Sequence, residues 1–140
     1  MRNPFGYKVL IVDDEQNIAD SLAIIFHTQD YSTRVAYTAE QAIEIIAESQ
    51  PDLAIIDVML PQMNGIDLAI VIQANYPTCR ILLFSGQPDS SELAEQAAKK
   101  GHTFHIIAKP VHPEFLLELA AHVLAQQAPT PPASRSDLQS

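Results

Sequence analysis

Five short β-prone runs, at 8–12, 33–36, 53–56, 80–84 and 104–108, are separated by stretches whose apolar residues recur at helical spacing. That alternation constrains the fold more than any other feature, because β-runs joined through helices pair as the parallel strands of βαβ units. Four of the runs are nearly continuous in apolar residues, as in Leu53-Ala54-Ile55-Ile56. Strands covered by helices on both faces read this way. The second run, Thr33-Arg34-Val35-Ala36, is shorter and more polar, which suits an edge strand. The expectation is an α/β protein built on a parallel sheet.

The intervening stretches carry start and stop signals. A first helix is expected from about 17 to 28, with Ile18, Leu22, Ile25 and Phe26 on one stripe. Thr38-Ala39-Glu40-Gln41 reads as a capping box opening a second helix to about 49. A third runs from about 66 to 75 and stops near Pro77. Asp89, Ser90 or Ser91 caps a fourth, with Glu92 and Glu95 early, Lys99 and Lys100 late and Gly101 just past its end. That charge order suits the helix dipole. Pro113 suits the first turn of a fifth helix, which carries Phe115, Leu116, Leu119 and Val123 to about 126.

At 140 residues and 47% hydrophobic, the chain fits one domain with a core that needs no disulfide. Cys79, the one cysteine, is expected as a small apolar residue at the start of a strand, and its solitude fits a reducing compartment. A net charge of −9 argues against direct contact with nucleic acid. The N-terminus lacks an apolar signal-peptide region and no run reaches membrane length, so the chain reads as cytoplasmic with no membrane contact. The domain is expected over 1–127. Residues 128–140, with three of the ten prolines, are expected as a disordered tail or the start of a linker.

The chemistry sits at the ends of the runs. Asp13 and Asp14 follow the first, Asp57 the third, Ser85 the fourth and Lys109 the fifth. In an open parallel sheet ligands bind beyond the carboxyl ends of the strands, so one pocket can hold all of them. Three converging carboxylates repel one another unless a cation compensates, and an ionised group at the end of a buried strand needs a partner. A divalent metal and Lys109 would supply both. The arrangement suggests a site for Mg²⁺ and a phosphoryl-type anion. Taken singly, Asp13-Asp14 would be an ordinary solvated strand end, Asp57 and Ser85 turn residues and Lys109 a snorkelling lysine. His27, His102, His112 and His122 match no metal-ligand spacing and read as surface or capping residues.

Taken together, Val12-Asp13-Asp14-Glu15, Asp57 with Pro61 and Gly65, Ser85-Gly86 and Lys109-Pro110 resemble the CheY-like receiver domains of two-component response regulators, over roughly 7–125. The resemblance implies a doubly wound, flavodoxin-like (βα)5 fold with five parallel strands in the order 2-1-3-4-5. It implies that Asp57 accepts a phosphoryl group. Asp14 and Asp57 would ligate Mg²⁺ directly, Asp13 would reach it through water, and the Met59 carbonyl would complete the protein ligands. Lys109 would pair with Asp57 and then with a phosphoryl oxygen. Ser85 would donate a hydrogen bond to the phosphoryl and move as part of the switch, and Lys109-Pro110 would be a cis peptide. Upstream stands a sensor histidine kinase or phosphotransfer protein, and downstream another protein. A homodimer would form through the face of the predicted fourth helix, fifth strand and fifth helix. Such a receiver catalyses only its own phosphorylation and dephosphorylation.

The chain departs from the family at Ile106, where an aromatic usually changes rotamer with the switch. Either that switch is absent, the preferred reading, or an offset in the strand presents His105. Gly86 stands where the family commonly has alanine, and Met59 and Gln87 occupy positions that tune access of hydrolytic water. An alternative is a phosphorylation-independent interaction module on the same fold. A metal-dependent phosphatase is disfavoured because Met59 stands where its second acid belongs. A flavin site is disfavoured because Asp13-Asp14-Glu15 would repel the phosphate.

Overall fold

The computed structural model of the chain describes residues 6–86, 95, 98–99, 104–109 and 111–125. Strands β1 (Lys8–Val12), β2 (Ser32–Ala36), β3 (Leu53–Asp57), β4 (Arg80–Ser85) and β5 (His105–Ala108) form one parallel sheet in the order β2-β1-β3-β4-β5. Helices α1 (Gln16–Thr28), α2 (Ala39–Glu48) and α3 (Gly65–Asn75) and a C-terminal helix, Pro113–Ala125, join and cover the strands. The polar second run is an edge strand, as its composition requires. Glu95, Ala98 and Lys99 of the expected fourth helix are helical. The rest of that helix, Gln87, His102, the Lys109–Pro110 peptide and the expected tail at 128–140 lie outside the described residues.

Alternation along the strands divides the core into two layers. Leu10, Val12, Ala54, Ile56 and Leu83 point to one face and pack with Ala42 and Ile46 of α2 and Leu68 and Ile72 of α3. Val9, Ile11, Leu53, Ile55, Leu82 and Phe84 point to the other and pack with Leu22 and Phe26 of α1 and Leu116 and Ala120 of the C-terminal helix. Every residue of β3 is buried, so this strand is the spine of both layers. Each such Leu or Ile contributes about 1.5–3 kcal/mol relative to exposure. Cys79, just before β4, is buried, and that burial, with the Asp52 charge, pushes its thiol up to about 12.

Three local details differ from the sequence expectation. β3 and β4 each run one residue further, because Val58 N–H donates to the Phe84 carbonyl (2.8 Å) and Lys109 N–H to the Ser85 carbonyl (2.9 Å). Asp57 and Ser85 therefore close their strands. The capping box is offset: Thr38 Oγ1 accepts from Gln41 N–H (3.0 Å), but Gln41 Oε1 accepts from Tyr37 N–H (2.8 Å), one residue before the cap. β5 begins at His105, and Phe104 packs against the α2/α3 layer just ahead of it.

Asn64 Oδ1 caps α3 by accepting from Ile66 N–H (2.7 Å), while Gly65 N–H donates to the Val58 carbonyl (2.8 Å). This folds the loop after β3 tightly onto the end of the strand. A Cβ on Gly65 would collide with the Asp57 carbonyl and with Val58 Cα. Both are backbone atoms, which cannot step aside cheaply. A Cβ on Gly86 would meet nothing within 4 Å. Gly65→Ala is therefore expected to lower Tm by about 8 °C, equivalent to about 2 kcal/mol of overpacking. Gly86→Ala should move it by no more than about 3 °C. Thermal melts monitored by circular dichroism of the two variants side by side check the contrast.

Candidate functional site

The strand ladder decides which side chains meet at the carboxyl edge. Asp13 continues the Val9–Ile11 alternation of β1, Asp57 that of Leu53–Ile55, Phe84 follows Leu82, and Lys109 follows Ile107. All four sit on the side covered by α1 and the C-terminal helix. Lys109 Nζ donates to Asp13 Oδ2 at 3.0 Å and to Asp57 Oδ2 at 3.3 Å. One ammonium from an outer strand thus joins the ends of β1 and β3. The same ammonium lies over the Phe84 ring, 5.9 Å from its centroid.

The remaining carboxylate oxygens are held by backbone. Asp57 Oδ1 accepts from Met59 N–H (3.1 Å) and Asp13 Oδ1 from Glu15 N–H (3.0 Å). Asp13 and Asp57 are 1% and 5% exposed, so their charges depend on these partners rather than on water. Asp14 is exposed beside them. Among the described residues, one carboxylate oxygen from each of Asp13, Asp14 and Asp57 lies within 4.8 Å of the others. Three carboxylates against one ammonium leave two negative charges, the charge that one divalent cation supplies. Hard oxygen donors with an open, exposed side fit Mg²⁺, which keeps part of its water.

Burial pushes the Asp57 carboxyl above its usual range, and the Asp13 charge acts in the same direction. The Met59 N–H and Lys109 oppose that without cancelling it. Burial alone would lower the Lys109 ammonium, but its hydrogen bonds and charge pairing with Asp13 and Asp57 outweigh it, and Lys109 stands above its ordinary value. Lys109 therefore remains a cation, while Asp57 is a carboxylate more basic than an exposed one.

Ser85, the last residue of β4, is buried and lies on the opposite face of the sheet from Lys109. Met59 contributes its N–H to Asp57, while the residue is 52% exposed. The β4–β5 ladder runs without an offset from Leu82↔His105 to Ser85↔Ala108. Ile106 is half-buried against the α2/α3 layer, and His105 is exposed on the other face. His112 caps the C-terminal helix, its Nδ1 accepting from Glu114 N–H (3.2 Å). In the sequence, Phe84 reads only as a strand residue and Gly65 only as a motif position. The signal for Phe84 was there, since it has the same strand parity as Lys109. The signal for Gly65 was not, because the clash is with backbone from a different segment.

Five parallel strands in this order, with three acids and a lysine gathered at their carboxyl edge, define the CheY-like class of flavodoxin-like folds. The family model described as the response regulator receiver domain matches residues 9–121. The regulatory protein VanR of Enterococcus faecium is 36% identical over 119 residues, covering 85% of this chain and 49% of VanR. The response regulator protein PilR of Pseudomonas aeruginosa is 35% identical over 122 residues, 87% of this chain and 27% of PilR. Among solved structures, the signal receiver domain of an HD-domain-containing protein from Pseudomonas fluorescens superposes with a TM-score of 0.78 at 30% identity, covering 84% of this chain and 94% of that one. A CheY-like receiver domain from Methanospirillum hungatei gives 0.77 at 28% identity, covering 84% and 93%. The chain belongs to the response regulator receiver domain family of two-component signalling. It spans about half the length of relatives such as VanR and the DNA-binding response regulator MtrA, 49% and 50% respectively.

Because Asp57 titrates above its unfolded value, its neutral form is the one the fold favours. The stability it contributes is present at low pH and lost as pH rises through its folded titration. Asp57→Asn, which leaves Lys109 its bond to Asp13, is therefore expected to raise Tm by a few degrees in EDTA at neutral pH. The gain should shrink as the pH is lowered through the Asp57 titration. Melts of both proteins across a pH series check the sign.

Proposed function

We propose that this chain is a Mg²⁺-dependent phosphoryl acceptor that takes its phosphoryl group on Asp57 from the phosphohistidine of a sensor histidine kinase or phosphotransfer protein. It then passes the signal on through protein contacts in the cytoplasm. The observation that carries this reading is the Asp57 carboxylate itself. It is buried, made basic by that burial, held on one oxygen by the Met59 N–H and on the other by Lys109, and flanked by two further acids. A structural aspartate at a strand end has no need of such company.

In this mechanism an Asp57 oxygen attacks phosphorus. A P–O bond forms as the P–N bond to the donor imidazole breaks, and the electron pair leaves with the imidazole. The Met59 N–H fixes the carboxylate plane. Lys109 releases a carboxylate oxygen and donates to a phosphoryl oxygen, staying charged throughout. Ser85 supplies a second donor and draws its loop toward the new group, which biases the packing around Ile106. Asp14, Asp57 and the Met59 carbonyl would hold Mg²⁺, with Asp13 behind them. Bound there, Mg²⁺ would neutralise charge on the phosphoryl oxygens and keep Asp57 ionised. The chain's catalysis is confined to its own phosphorylation and dephosphorylation. The net charge favours a protein over nucleic acid as the downstream partner, met alone or as a homodimer through the face containing β5 and the C-terminal helix. Residues 1–127 serve as the receiver and 128–140 as a tail or the start of a linker.

Ile106 supports one second reading, an interaction module that works without phosphorylation. Intact-mass spectrometry after incubation with acetyl phosphate separates the two. The receiver reading expects one added phosphoryl group that disappears without Mg²⁺ and in Asp57→Ala. No adduct, together with unmoved amide resonances in beryllofluoride, would assign the interaction module. Mg²⁺ alone at ten times its Kd is expected to raise Tm by about 5 °C, equivalent to about 1.4 kcal/mol. Asp14→Ala should remove most of that rise.

A further inference from the structure

Phe84 is 2% exposed and lies on the ladder between Asp57 of β3 and Ile107 of β5. An aliphatic side chain would fill that core position as well as an aromatic one. What the ring adds is a π-face, and the Lys109 ammonium lies over it at 5.9 Å. That is just within the roughly 6 Å reach of a cation–π contact. The Lys109 side chain is only 18% exposed, so the contact is made in a largely desolvated setting, where such contacts are strongest. Two of the three ammonium protons go to Asp13 and Asp57. These bonds are directional and hold Nζ against the carboxylates. The attraction of the ring is centred on its face and does not depend on where the N–H groups point.

We propose that Phe84 is a positioning residue for Lys109, its ring forming the surface on which the ammonium turns from the Asp13–Asp57 pair to the incoming phosphoryl group. The inference rests on the receiver reading of the site. The ring holds Nζ at constant depth while one hydrogen bond is exchanged for another, and it shields the cation from water during the exchange. No atom of Phe84 touches the phosphoryl group. Its effect is on where the lysine stands and on how easily it pivots.

Replacing Phe84 by mono-, di- and trifluorinated phenylalanine weakens the π-face stepwise while nearly keeping shape and volume. The expected result is a graded fall in the rate of phosphoryl acceptance from acetyl phosphate at saturating Mg²⁺, reaching about tenfold with the trifluorinated ring. Tm should stay within about 3 °C of the parent. A purely structural ring would leave the rate flat across the series, and that outcome overturns the proposal. If the parent protein forms no phosphoryl adduct, it is the receiver reading that fails. The ring–ammonium contact is then judged from the ¹⁵N resonance of Lys109 Nζ in the same proteins. A shift that grows with fluorination upholds the contact, and an unmoved resonance rejects it.

Discussion

The site depends on one cation shared by two buried carboxylates. Lys109 spans from the end of β5 to Asp57 on β3 and Asp13 after β1, crossing β4 to do so. Without it, two acids almost fully removed from water would face each other uncompensated, and burying unpaired charge is among the costliest things a fold can do. With it, the pocket still lacks two positive charges when all three acids are ionised. The fold thus holds its acids close enough to coexist without neutralising them. That residual field is of the sign and size that one divalent cation balances.

Sheet geometry puts this within reach of a chain whose participants are 96 residues apart. Parallel strands bring their carboxyl ends to one edge, and the two-residue alternation places Asp13, Asp57, Phe84 and Lys109 on one face. Ser85 has the opposite parity, that of Leu83, whose layer includes Ile106. The acids and lysine therefore sit over the α1 side of the sheet, while the serine leads toward the other side. A group bound at the edge can engage both layers at once. Gly65 keeps the loop after β3 pressed onto the Asp57 backbone, and the Met59 N–H of that loop holds one oxygen of the Asp57 carboxylate.

Much of the fold could be read from residue order alone. Near-continuous apolar runs at β1, β3 and β4 marked buried strands, Thr38 marked a helix start, and the polar β2 marked an edge. The reason is physical: burial on both faces, orphan N–H groups at helix starts and exposed strand edges each select residue types locally. Strand ends were less legible. β3 and β4 extend one residue further than their apolar runs because ladder hydrogen bonds from Val58 and Lys109 carry them on. The offset of Gln41 onto Tyr37 N–H likewise depends on the chain path before the cap.

By itself the sequence determined the class of fold, the residues at the carboxyl edge and their excess of negative charge, because alternation, composition and position along the chain are properties of order. Only the tertiary structure decided that Lys109 bonds Asp13 more closely than Asp57, that Phe84 underlies the ammonium, and that Gly65 has no room for a methyl group. The first two join segments that are distant in the chain, and the third sets the start of α3 against the end of β3. Their distances are set by strand pairing and by the packing of two helical layers, and no local pattern of residues encodes them.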